Sequence, residues 1–346
     1  MTDQPRFPRR RSAPAPRNPL PEASAQEATP SPRARQFLLA FLGLVFCGIA
    51  AVAGAHVVLA RRNLLPAPPL AATWCIDEKF ASLRNAPLRD RTLLAVGSSA
   101  TWRNLDMALL EERFPDMRAY NAAPCYLHID QTAFLTQRLL ERMPAVETVL
   151  TVVAPRDFES CPAHAREFFD PDLFDAYLDG IMPTWVPYVT GFRPLYLART
   201  ALELRNGLAP PPEEVAEDHY GSSILRNPQK WRPEPAFDED CYAGLTALRD
   251  AVTAKGARLV VVSLPVMPEW KKRFDPDGQL VENWTRNMAA ALRHPDALFI
   301  DGRQLEWDDG RFADPVHVIY PHHTTFTDFI ARAMGKTATL AGRGGS

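Results

Sequence analysis

One stretch of this chain has no charge at all: from Phe37 to Ala60, 24 consecutive residues include no Asp, Glu, Lys or Arg. At ~1.5 Å per helical residue such a run crosses a hydrocarbon core of ~30 Å with some tilt, and few soluble helices are apolar on every face. The run therefore predicts a transmembrane helix over 37–60. Ala53-Gly54-Ala55 has the small-x-small form of a signal-peptide cleavage site, but the long basic segment before the run and its continuation to Ala60 favour an uncleaved anchor. Large apolar residues are nearly missing from 1–36, which is rich in Pro, Ala, Ser and Arg. Such a segment buries too little surface to offset its ordering entropy and is expected to be disordered. Its seven Arg against Asp3, Glu22 and Glu27 place it on the cytoplasmic side, with Arg61 and Arg62 beyond the run weakening the bias. Residues 61–346 are then extracytoplasmic.

A basic excess is also missing from that larger part: residues 61–346 hold 32 basic and 38 acidic side chains, which argues against nucleic acid as a partner. Cysteine is scarce, at five residues, and in no zinc-binding spacing. Cys47 lies in the apolar run. Cys75, Cys125, Cys161 and Cys241 form an even set that permits two disulfides in three pairings in an oxidising compartment, with free buried thiols as the alternative. His322 and His323 have no third ligand at matching spacing, so neither a metal nor a cofactor is expected. Cys125 near His128 lacks the context that stabilises a thiolate nucleophile.

The chain's 346 residues leave room for a core of ordinary size after these appendages. Pro66, Pro68 and Pro69 suggest a stiff stalk over 61–90. From residue 91 strand and helix patterns alternate. Strands are expected at Thr92–Val96, Arg118–Asn121, Val146–Val153, Arg258–Leu264 and Ala297–Asp301; helices at Leu105–Phe114, Thr132–Met143, Cys241–Lys255, Glu282–Arg293 and Thr324–Met334. Gly256 is placed to stop the third helix. This rhythm predicts an α/β domain over 91–335, flavodoxin-like, with three α/β/α layers around a mostly parallel five-stranded sheet. Residues 336–346 are expected to be a disordered tail. Between 158 and 240 the rhythm breaks into a segment rich in Pro and aromatics. It is too long and apolar for a plain loop. It reads as a helical insertion packing its own small core, with a lid or docking surface for substrate or partner as a compatible reading.

In an open parallel sheet, ligands bind outside the carboxyl ends of the strands. Four strand ends carry polar or turn-forming residues: Gly97-Ser98-Ser99-Ala100-Thr101, Asn121-Ala122-Ala123-Pro124, Ala154-Pro155-Arg156-Asp157 and Asp314-Pro315-Val316-His317. A serine hydroxyl is a weak nucleophile that needs a base and a carboxylate to orient the base. Asp314 and His317, three apart, can be presented together by one loop opposite Ser99, and a serine at a helix start has free N–H groups nearby for an oxyanion. Ser98 and Thr101 read as turn and capping residues.

These four blocks, in this order, resemble those of the SGNH (GDSL-like) hydrolase superfamily. The likeness is strongest to its membrane-anchored cell-envelope branch, such as the DltD-like and alginate-acetylation proteins, and covers 91–335 apart from the insertion. The last block, Asp314-Pro315-Val316-His317-Val318-Ile319-Tyr320 with Phe326 nine residues beyond the His, is its most specific part. The resemblance implies a Ser99, Asp314, His317 triad with Ala123 as a backbone oxyanion donor where the family usually has Gly. In the third block the family's Gly-x-Asn-Asp becomes Ala154-Pro155-Arg156-Asp157. A guanidinium cannot copy a neutral amide, so Arg156 is expected either to donate to the oxyanion or to pair with Asp157 or a charged substrate. The resemblance further implies a periplasmic esterase or O-acyltransferase acting on a carbohydrate or cell-wall polymer, with a polytopic membrane O-acyltransferase as partner. A non-catalytic binding or assembly module of the same fold is the rival reading.

Overall fold

The computed structural model describes residues 31–161, 165–206 and 218–343. The chain divides after Val58 into two units. The first consists, within the described residues, of most of helix α1 (Pro32–Arg61), which is 30 residues long, buries none of them and is apolar enough to cross a membrane. It begins ahead of Phe37, so residues 32–36, read as part of the disordered tail, are helical; residues 1–30 of that tail lie outside the described residues.

The second unit is built on five short strands: β1 (Leu93–Ala95), β2 (Ala119–Asn121), β3 (Thr148–Val153), β4 (Arg258–Ser263) and β5 (Ala297–Ile300). They form one sheet in the order β2-β1-β3-β4-β5. Every pairing is parallel, so the "mostly parallel" sheet expected from the sequence is wholly so. The runs Leu93-Leu94-Ala95 and Leu259-Val260-Val261-Val262 are buried throughout, as continuous apolar strands of a covered parallel sheet must be.

Helices join the strands. α2 (Trp74–Asn85) precedes the sheet, α3 (Ser99–Asn104) and α4 (Met107–Arg113) link β1 to β2, and α5 (Ile129–Arg142) links β2 to β3. The insertion carries α6 (Pro171–Leu178), α7 (Val186–Thr190) and α8 (Pro194–Arg205). α9 (Cys241–Ala254), α10 (Pro268–Phe274) and α11 (Gln279–Ala291) flank β4. A two-stranded ribbon, β6 (Phe312–Asp314) and β7 (His317–Val318), leads into α12 (His322–Arg343), which runs through most of the tail read as disordered. α9 packs on both α5 and α11, and α12 packs on α3 and α4. The approach of α9 to α5 is close because Gly244 has no side chain: a Cβ there would come within 2.8 Å of the Asp130 backbone.

One expectation about organisation is corrected, and a second holds for only part of the segment. Residues 74–85, placed in a stalk, form α2, whose Ile76, Phe80 and Leu83 are buried in the core of this unit. The first part of the 158–240 insertion joins the main core, while Tyr177, Met182, Tyr188, Leu197 and Ala201 are buried apart from it. Its Phe169 and Phe174 close on Phe80 of α2 at ring-centroid distances of 5.2 and 4.7 Å, and Phe169 meets Phe134 of α5 at 4.9 Å. Aromatic edges and faces of this kind prefer each other to water. The structure pairs Cys161 with Cys241, Cα atoms 5.3 Å apart, across the base of the insertion, and Cys75 with Cys125, 5.9 Å apart, tying α2 to the loop after β2.

Candidate functional site

Gly97 to Asn104 build the heart of the site. Ser98 is the N-cap of α3, its Oγ accepting the Ala100 N–H at 3.1 Å, the usual service of serine at that position. Ser99 is the first residue of the helix, so its N–H has no intrahelical acceptor. Thr101 turns back to the sheet: its Oγ1 accepts the Val152 N–H and donates to the Val152 carbonyl, each at 2.9 Å. β1 pairs with β3 only as far as Leu150, so Thr101 satisfies the edge that β1 leaves open. Gly97 permits this, because a Cβ there would collide with the Thr101 side chain.

The ribbon brings the other two triad candidates to Ser99. Asp314 Oδ1 accepts the N–H groups of Val316 at 2.8 Å and His317 at 3.0 Å, an Asx-type turn that fixes the loop. Asp314 Oδ2 lies 2.8 Å from His317 Nδ1, and His317 Nε2 lies 2.9 Å from Ser99 Oγ. With Nδ1–H donating to the buried carboxylate, Nε2 carries the lone pair and accepts from the serine hydroxyl.

Asn104, which the sequence did not single out, holds the two parts together. Its Nδ2 donates to the Val316 carbonyl at 3.0 Å, and its Oδ1 accepts the Val318 N–H at 2.7 Å. The helix that begins with Ser99 thus grips the residues on both sides of His317 with its last side chain.

The block after β3 splits in direction. Asp157 turns inward, accepting the Ala154 N–H at 2.9 Å and a hydrogen bond from Ser98; burial raises its pKa to about 7 against those two bonds. Arg156 turns outward, its Nη1 2.6 Å from Glu159 Oε2 and its guanidinium 5.8 Å from the centre of the Trp231 ring. The ion-pair partner is therefore Glu159 and not Asp157, whose carboxylate is occupied beneath the surface. Glu159 is itself buried, and burial raises its pKa against the attraction of Arg156.

Ala123 differs from expectation. It is fully buried, and its N–H donates to Asn121 Oδ1 at 3.1 Å. The same carboxamide donates to the Thr101 carbonyl and to Ser222 Oγ, both at 3.1 Å, so it is held from both ends. The backbone donor expected from Ala123 is spent inside the protein. Ser99 and Arg156 do line the open groove, of about 530 Å³, in which Asp314 and His317 also lie. Trp74, Tyr126, His128 and Trp231 form other parts of its wall, none of them singled out for this site from the sequence. Cys125 is on that wall too, but its disulfide with Cys75 removes it as a nucleophile. His323 is buried, 3.9 Å from Asp106, and among the described residues no group of His, Cys, Asp and Glu is arranged to hold a metal ion. Compared with known proteins, the chain matches no family model and no curated protein.

Proposed function

We propose that the chain is a membrane-anchored, extracytoplasmic serine esterase or O-acyltransferase of the SGNH type, working on a cell-envelope carbohydrate or polymer through an acyl-Ser99 intermediate. The observation that carries this reading is the continuous hydrogen-bonded line from Asp314 through His317 to Ser99. His317 Nε2 takes the hydroxyl proton as Oγ attacks the ester carbonyl, then gives it to the departing alkoxide. Water or a sugar hydroxyl attacks the acyl-serine in turn, with His317 again as base, and the proton returns to Ser99 when the product leaves. Asp314 holds the ring in the required tautomer. The negative charge on the carbonyl oxygen falls to the Ser99 N–H, and Arg103 and Arg156 are the cations on the groove wall.

The strand order is the flavodoxin-type 2-1-3-4-5. Right-handed crossovers then put α5, α9 and α11 on one face and α3, α4 and α12 on the other, giving the three-layer arrangement, and the helix contacts follow that grouping. The basic tail before α1 and two disulfides after it favour an inner-membrane anchor with residues 61–346 in the periplasm. The acyl donor in this reading is a polytopic membrane O-acyltransferase. A second reading, a non-catalytic assembly module, is favoured by the spent Ala123 N–H.

Hydrolysis of a short-chain aryl ester by the full chain in detergent tests the proposal. Slow turnover that disappears in Ser99→Ala supports it; turnover that survives the substitution, or is absent from the wild type, favours the assembly module. A reporter active only outside the cytoplasm, fused after Ser346, tests the orientation, which inactivity in an otherwise intact fusion overturns.

A further inference from the structure

The insertion carries an apolar surface that the site does not use. Ile181, Trp185, Val189, Phe192, Leu195 and Leu202 are all exposed, Leu195 at 86% and Trp185 at 62%. They fall within one segment of α7, α8 and their flanks. Single exposed apolar residues are ordinary, whereas a run of them marks an interaction surface.

What lies beside this segment identifies its occupant. The Tyr188 hydroxyl is hydrogen-bonded to the Pro66 carbonyl, and Gly191 packs so closely on the Pro69 carbonyl that a Cβ would come within 3.1 Å of it. Pro66 is five residues beyond Arg61, the last residue of the apolar helix α1. At ~3.5 Å per residue even a fully extended link spans only ~18 Å. The segment is therefore tethered within that reach of the end of a membrane-spanning helix. Its composition suits an interface: Trp185 and Phe192 are the side chains that settle at headgroup level, and Arg193, Arg199 and Arg205 outnumber the one acid between residues 181 and 206, Glu203.

We infer that this face of the insertion rests on the bilayer, so that the folded unit is seated on the membrane surface by α7 and α8 as well as anchored through α1. The inference rests on the membrane-anchor part of the proposed function and is independent of the chemistry at Ser99. It gives the insertion a role, which is to fix the height and tilt of the groove above the lipid from which an acyl donor would deliver its group.

The test uses the full chain in vesicles of phosphatidylethanolamine and phosphatidylglycerol containing doxyl-labelled lipid. Cys47 is the free cysteine among the described residues. An environment-sensitive fluorophore on Cys47 reports α1. In a Cys47→Ser background, Leu195→Cys reports the insertion, and Lys272→Cys, an exposed position on α10, serves as the aqueous control. The expected result is quenching by the doxyl lipid at Cys47 and at position 195, each several-fold above that at position 272. Quenching at Cys47 with position 195 no better than position 272 overturns the inference and leaves the anchor standing, and the apolar face then belongs to a protein partner. No quenching at Cys47 overturns the anchor and the inference together.

Discussion

Asn104 and Val316 are joined across 212 residues of chain by a 3.0 Å hydrogen bond from the carboxamide to the carbonyl. That bond, with the one from Val318 to the same side chain, couples the helix of Ser99 to the loop of His317. Asn104 is fully buried, so cutting the side chain leaves the Val318 N–H and the Val316 carbonyl without it in the interior. Asn104→Ala should lower kcat for an aryl ester by ~100-fold, because misplacement of a reacting group by about an ångström costs that much. It should also cost about 1–3 kcal/mol of stability for the orphaned Val318 N–H. Steady-state kinetics and a melting curve on the same sample check both, and unchanged kcat with lowered stability would reduce Asn104 to a packing residue.

Arg156 sits between two roles, and its ion pair decides the expectation. Its partner Glu159 is buried while the guanidinium is half exposed, so removing Arg156 strands a charge that, among the described residues, keeps the Ala236 N–H at 3.3 Å. Arg156→Ala should cost about 1–3 kcal/mol of stability. It should leave kcat on a neutral ester within about two-fold, while KM rises for anionic esters alone. A loss of ~100-fold in kcat on the neutral ester, at unchanged KM, would instead make Arg156 an oxyanion donor.

The buried carboxyls predict how stability depends on pH. Burial raises both Asp157 and Asp77 from the ordinary 3.8 to about 7. The folded state therefore binds protons that the unfolded state has already released, and the stability from these groups is fully present below about pH 4 and lost as pH rises through about 7. Their contribution makes the melting temperature of the wild type fall between about pH 5 and pH 8. Asp157→Asn keeps an acceptor for the Ala154 N–H without a titrating proton, so the fall should be shallower in that variant. Identical pH slopes in the two proteins would contradict the assignment.

Much of the fold was legible because it rests on local pattern. The five strands are apolar runs that end in turn residues, and Asp314 and His317 are close enough in sequence for one loop to present both. α2 carried the same kind of signal, with Ile76, Phe80 and Leu83 at helical spacing, but Pro66, Pro68 and Pro69 just before it suggested a stalk. The spent N–H of Ala123 also had a local cue, since an Asn two residues upstream readily folds its carboxamide onto that N–H. Asn104 had none. Its role is created by a contact between residues more than two hundred apart, and a buried amide in a helix reads only as polar until its partners are known. The choice of Glu159 over Asp157 by Arg156 was equally hidden, because it depends on which way each side chain leaves a single short turn.

Under the proposed function Ser99, activated by His317 and Asp314, is the nucleophile. Reaction of the full chain with a fluorophosphonate probe, followed by mass spectrometry of the modified peptide, tests it most directly. One adduct is expected, on Ser99. The adduct should be lost in Ser99→Ala and strongly reduced in His317→Ala. It should be retained in Ser98→Ala, which removes a helix cap worth about 1 kcal/mol. An adduct on Ser98, or no adduct on a folded wild-type chain, would contradict it.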